Sequence, residues 1–316
     1  MISYIQRFDD PAIPPPYKFT DVTIMSFQLP AKLANLQKLC DDLLNIGSLA
    51  DRGFEYRAFT DFVDLEIVNY PEMIFDKAPY SGWGFATQQE LYFRFYVWRF
   101  DLFDGLLFPS LFPQLFFPYI YVDNPWSMVS GRNVIGFPKA MAQFKPTQML
   151  GVSPLQITAS TMAMEIHSPT TKLKLHPIVE INTDQTAIAP ALPGNGAWPW
   201  FGLASATSIF DPYIKQQSQT FLAKLPSLFS TVQLKQFRDF STDACFQAVV
   251  ETPFEPSNVG LLKPLPPVSV TVHSYASLDI PGDLGFPSGQ PLQPAQQYSV
   301  SLNMRMSGGR DLFINR

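Results

Sequence analysis

The sequence predicts a mainly β protein, and three observations carry that expectation. Thirty prolines and 17 glycines are spread along all 316 residues rather than clustered, which cuts the chain into short segments. Several segments alternate apolar and polar residues or have continuous β character. Helical periodicity, by contrast, is confined to two stretches. A single domain over residues 1–316 is expected, because no repeat, low-complexity tract or linker divides the chain.

In chain order, the expected strands are Asp64 to Tyr70, Glu90 to Phe100, Leu155 to Ile166, Thr171 to Leu175, Cys245 to Glu251, Val268 to His273 and Gln297 to Met306. Alternation is clearest in Val268-Ser269-Val270-Thr271-Val272. One helix is expected after Pro30, with Leu33, Leu36, Leu39, Leu43 and Leu44 on one face. A second opens at Asp211-Pro212 and runs through Leu225, with the aspartate as cap and the proline in the first turn. Pro11 to Pro16, Pro264 to Pro267 and Pro281 to Pro294 read as rigid surface loops.

Composition narrows the function. Aromatics make up 14% of the chain and charged residues only 16%, which calls for a large, ring-lined interior. The net charge of −5 arises from scattered residues, so there is no handle for nucleic acid or a membrane surface. No segment reads as a signal peptide, and the aromatic run Leu91 to Val122 is broken by charges and prolines that a lipid-facing helix could not carry. The two cysteines, Cys40 and Cys245, read as free, buried thiols, which fits a reducing cytoplasm.

The usual catalytic signals are missing. His167, His176 and His273 have no metal-ligand spacing, no Gly-x-Ser-x-Gly elbow occurs, and Ser307-Gly308-Gly309-Arg310 lacks the Lys-Ser/Thr of a phosphate loop. No metal or cofactor is expected.

The informative stretch is Phe117-Pro118-Tyr119-Ile120-Tyr121-Val122-Asp123-Asn124, followed by Gly131-Arg132-Asn133-Val134-Ile135-Gly136-Phe137-Pro138-Lys139. Its second half resembles the Gly-Arg-Glu…(Gly/Ala)-(Tyr/Phe)-Pro-Lys signature of acetoacetate decarboxylases. Pro16-Tyr17-Lys18-Phe19, Leu65-Glu66-Ile67 and Leu234 to Asp239 leading into Ala244-Cys245-Phe246-Gln247 match in the same order. The resemblance implies an antiparallel β-barrel-like core with flanking helices and an interior pocket. It also implies a small keto-acid substrate, and because family members commonly assemble it leaves a homo-oligomer open.

By the same resemblance Lys139 is the Schiff-base nucleophile, and Glu66 and Glu90 match the family's two pocket acids. Solvated strand carboxylates are the plain alternative for both. Arg132 matches the arginine of Gly-Arg-Glu, for which a structural salt bridge is an equal reading. If Glu90 faces the pocket, alternation sets Tyr92, Arg94, Tyr96 and Trp98 on its side. Arg94 then becomes a candidate for holding a substrate carboxylate, and Tyr92 and Phe137 for lining the site.

Three positions depart from the family. Ala140 stands where a second lysine follows the nucleophile, Val22 aligns with the pocket arginine, and Asn133 replaces the glutamate after Gly-Arg. A free lysine has a pKa near ~10.4 and must be made neutral to attack a carbonyl. Burial alone can depress it by up to ~3–5 units; acetoacetate decarboxylase is itself the established case of such an activated lysine.

The expected chemistry is decarboxylation of a bulky, apolar or aromatic β-keto acid, with Glu90 moving protons and Glu66 orienting it or holding the amine. The segment Leu102 to Phe117, with Trp198, Trp200 and Phe201, is read as pocket or core. The alternatives are aldol, dehydration or cyclisation chemistry on a 2-oxo acid in secondary metabolism, and a barrel that binds an apolar ligand without catalysis.

Overall fold

A computed structural model describes residues 4–5, 7, 10–110, 112–147, 154–184, 230–241 and 243–315. The expected helix from Asp211 to Leu225, and Trp198, Trp200 and Phe201, lie outside the described residues.

The first half contains β1 (Tyr17–Pro30), β2 (Phe54–Ala58), β3 (Phe62–Phe75), β4 (Phe85–Phe103), β5 (Leu106–Pro109), β6 (Gln114–Val122), β7 (Lys139–Met141) and β8 (Gln143–Lys145). It is followed by β9 (Gln156–Ala163), β10 (Lys174–Thr183), β11 (Ser230–Arg238) and β12 (Ala244–Ser257). The chain ends with β13 (Lys263–Pro264), β14 (Val268–Val272), β15 (Pro291–Leu292), β16 (Gln296–Met306) and β17 (Arg310–Asn315). Between them lie the helices α1 (Leu33–Leu43), α2 (Leu49–Arg52), α3 (Pro125–Ser130) and α4 (Ile280–Leu284). Among the described residues no helix is long and apolar enough to cross a membrane.

The larger sheet closes on itself. Its order runs β16, β1, β3, β4, β6, β11, β12, and β12 returns to β16 by pairing Phe254 to Ser257 with Met306 to Asn303. The ring is mostly antiparallel, but β6 pairs with β11 and with β7 in parallel. A second sheet, β15-β14-β10-β9-β8, packs against one face.

Strand alternation sorts the core into two sets. Val63, Leu65, Ile67, Leu91, Phe93, Phe95 and Val97 meet α1 and the second sheet. Val68, Tyr70, Tyr92 and Tyr96 take the opposite face, joined by Val22 of β1, Phe117 of β6 and Val300 of β16.

Prolines hid one strand and most of another. Pro118 interrupts β6 and Pro177 interrupts β10, yet both fall at register shifts, where a missing N–H costs no ladder bond. The strand expected over Thr171 to Leu175 therefore begins at Lys174 and continues to Thr183.

Other expectations are corrected by burial. Leu33 is exposed at the start of α1, whose buried residues are Leu36, Leu39 and Cys40. Cys40 and Cys245 are both free, but Cys245 is exposed. The Pro11 to Pro16 segment is no surface loop: Ile13 is fully buried and donates its N–H to Ser130 Oγ of α3 at 3.2 Å. In the aromatic segment, Leu115, Phe116 and Phe117 are core, whereas Phe103, Leu106 and Phe108 are exposed on the β4–β5 hairpin. That hairpin turns on Asp104 and Gly105, both at positive φ, the geometry two-residue hairpin loops favour.

Candidate active site

Lys139 opens β7, opposite Ile120 of β6, and Ile120 in turn lies opposite Tyr92 of β4. Glu90 is one alternation step from Tyr92 on the same face. Two strand spacings, roughly 10 Å, separate β7 from β4, a gap that a lysine side chain can close when a glutamate reaches towards it. Lys139 Nζ does so and meets Glu90 Oε1.

Ser127 completes the contact. Its Oγ accepts from Lys139 Nζ at 2.8 Å and donates to Glu90 Oε1 at 3.4 Å. Gln88 Nε2 donates to that same oxygen at 3.1 Å, so three donors converge on Oε1. Lys139, Glu90, Ser127 and Gln88 are all buried.

The approach to Lys139 is built by glycines. A π-helical turn, Gly131–Ile135, brings the carbonyl of Gly131 to the N–H groups of Gly136 and Phe137 at 2.9 and 3.0 Å. Gly136 has φ of 93°, and a Cβ there would stand 3.1 Å from the backbone Cα of Lys235. Lys235 Nζ donates to Val134 O at 2.9 Å and so closes one carbonyl of the turn; burial lowers the pKa of this amine. Arg132 is exposed, and its Nη1 donates to the backbone carbonyl of Lys139 at 2.9 Å.

A second polar cluster lies beside the first. Glu66 is paired with Tyr92 across β3 and β4, and Asp64 with Arg94. Tyr92 donates to Glu66 Oε2 at 2.6 Å, while Arg94 Nη2 lies 2.6 Å from Glu66 Oε1 and 3.1 Å from Asp64 Oδ2. Glu66 thus meets Arg94 and Tyr92, and the amine meets Glu90. Burial pushes the Asp64 carboxyl up to about 6, with Arg94 pulling the other way and Glu66 adding to the rise. Burial opposes the charge of Arg94, but Glu66, Tyr96 and Asp64 together hold the guanidinium well above its usual range. Arg94 Nη1 and Gln88 Oε1 are buried without a hydrogen-bond partner.

Rings wall the site. Phe137 stands 5.7 Å from Phe117, edge to face, and Phe117 stands 5.0 Å from Tyr92. Lys139 Nζ is 5.9 Å from the centre of the Phe137 ring. Val22 is buried among the residues of this face. Ala140, one residue on from Lys139, packs with the opposite set.

Sequence reasoning missed Ser127, Gln88 and Asp64. Gln88 and Asp64 were reachable, since each precedes a named glutamate by two and shares its face. Ser127 was not, because its place depends on how α3 folds back over β4. Asn124 sets that geometry by capping Trp126 and Ser127 N–H groups and donating to Thr87 O at 2.9 Å.

Chemically, moving one proton from Nζ to Glu90 removes two charges from a poorly solvated place and leaves a nucleophilic amine. Among the described residues no group of three His, Cys, Asp or Glu side chains stands together to hold a metal.

Comparison with known proteins gives the fold the same name as the motif. Acetoacetate decarboxylase from Legionella pneumophila subsp. pneumophila str. Philadelphia 1 superposes with a TM-score of 0.55 at 14% identity, covering 97% of this chain and 91% of that one. An acetoacetate decarboxylase-like enzyme from Sphingomonas wittichii RW1 gives 0.53 at 11% identity, with 95% and 94% covered. No protein of curated function matches the chain by sequence. A sequence model of the acetoacetate decarboxylase (ADC) family, however, matches residues 3–174, more than half of the chain, and the chain belongs to that family.

Proposed function

We propose that this protein is a carbon–carbon lyase that forms an imine between Lys139 and a keto acid, and that it decarboxylates a bulky, apolar or aromatic β-keto acid. The observation that carries the reading is the buried contact of Lys139 Nζ with Glu90 and Ser127. A β-keto acid loses CO2 slowly because the carbanion left behind is poorly stabilised. An iminium at the β-carbon accepts that electron pair and becomes an enamine.

Glu90 takes the amine's proton before attack, returns it to the departing hydroxyl as water forms, and, once reprotonated from solvent, protonates the enamine carbon. Arg94 supplies the buried Nη1 as a donor to a substrate carboxylate, with Tyr92 and Glu66 fixing its position. Phe117, Phe137 and Tyr92 face the apolar part of the substrate. Arg132 holds the backbone of Lys139.

A second reading, aldol or dehydration chemistry on a 2-oxo acid, uses the same iminium. It is favoured by Glu90, a carboxylate beside the nitrogen that can take a proton from the adjacent carbon. Release of CO2 from a panel of β-keto acids decides between them. Wild-type release that is lost in Lys139→Arg supports the lyase, and adduct formation without CO2 supports the second reading.

A further inference from the structure

Glu90 has more partners than one carboxylate oxygen needs, and the imine changes what Lys139 can offer it. An ammonium carries three N–H donors. When RNH3+ and a ketone become an iminium and water, the C–N bond forms and the C–O bond breaks. Two of the three hydrogens leave in the water, and one N–H remains, fixed in the iminium plane. That single donor can serve Glu90 or Ser127, but not both.

The surroundings favour Ser127. Its Oγ is a buried acceptor already 2.8 Å from Nζ, whereas Glu90 Oε1, although it meets Nζ more closely, also accepts from Gln88 at 3.1 Å and from Ser127 at 3.4 Å and keeps those two donors when the amine's leave. The serine is held in place by the Asn124 cap on its own N–H at 3.2 Å. We propose that Ser127 Oγ accepts the one N–H of the iminium on Lys139, which frees Glu90 to carry protons to and from the substrate carbon. The inference rests on the imine reading and assigns Ser127 a catalytic place in it. Glu90 then removes a proton from the carbon beside the iminium, the electron pair moves into the C–N system as an enamine, and the return of the proton restores the iminium.

The test uses pyruvate as the probe and reads two quantities on the full chain. Borohydride reduction followed by mass spectrometry measures the adduct, and proton NMR in D2O measures exchange of the methyl hydrogens beside the carbonyl. Ser127→Ala is expected to keep the adduct while exchange falls by about tenfold or more, the worth of one hydrogen bond to a charged group. Ser127→Thr is expected to restore exchange. If Ser127→Ala does not fold, Ser127→Cys, close in shape but a poor acceptor, is read in its place. Exchange unchanged in the variant, or adduct and exchange lost together, overturns the role of Ser127. A wild-type chain that forms no adduct with pyruvate or with any β-keto acid of the panel overturns the imine reading itself.

Discussion

A Cβ placed on Gly131 would stand 2.6 Å from Cδ and 2.9 Å from Cε of Lys139. The backbone of Gly131 is right-handed helical, at φ −61° and ψ −46°, so an alanine there meets no conformational obstacle. The glycine is needed because a lysine stem passes over it.

Gly131→Ala is therefore expected to separate folding from reactivity. The obstructed atoms belong to a flexible side chain, so stability should change by no more than about 1 kcal/mol. The amine, however, should be displaced from Glu90 and Ser127, and imine formation should fall by at least about tenfold. Gly136→Ala is the contrasting case, since φ of 93° and the Lys235 backbone both resist a side chain. It should destabilise by more than about 1 kcal/mol. Denaturant melts and borohydride trapping on both variants check the pair.

Arg94→Ala should be strongly destabilising. It leaves Glu66 and Asp64 buried without their cation, and removing one partner of a buried ion pair costs about 3–5 kcal/mol. Arg94→Lys keeps the charge but loses the fork that spans both carboxylates, so its loss should be smaller. The midpoints of urea unfolding at neutral pH give the order.

Asp64 makes stability depend on pH. Its carboxyl is raised from 3.8 in the free residue to about 6 in the fold, chiefly by burial. The folded state then holds a proton that the unfolded state releases, and stability falls as pH rises from about 4 through about 6. Asp64→Asn removes this loss, so its advantage over the wild type should be largest above pH 6 and shrink towards pH 4. The expected span is roughly 3 kcal/mol. A constant difference between the two proteins across that window would contradict the assignment.

How much of this was legible follows from the length scale of each signal. The two-residue period of β4 was enough to set Glu90, Tyr92, Arg94 and Tyr96 on one face, because alternation is a local property. Register between strands is not local. That Asp64 lies opposite Arg94, and Glu66 opposite Tyr92, could not be read from either strand alone, so the acid expected to orient Glu90 or hold the amine was found holding the arginine. Pro118 and Pro177 concealed strands for a related reason: the bulges that accommodate them exist only once a partner strand is present. Ser127 needed the packing of a short helix against β4, and nothing in its own neighbourhood marked it.

The proposed chemistry depends on attack of Lys139 on a carbonyl. Incubation with a keto acid, reduction with borohydride and peptide mass mapping test it directly. The expected result is a single covalent adduct on the peptide containing Lys139, absent in Lys139→Arg and sharply reduced in Gly131→Ala. An adduct on another lysine, such as the half-buried Lys235, or no adduct with any keto acid that binds, would contradict the account.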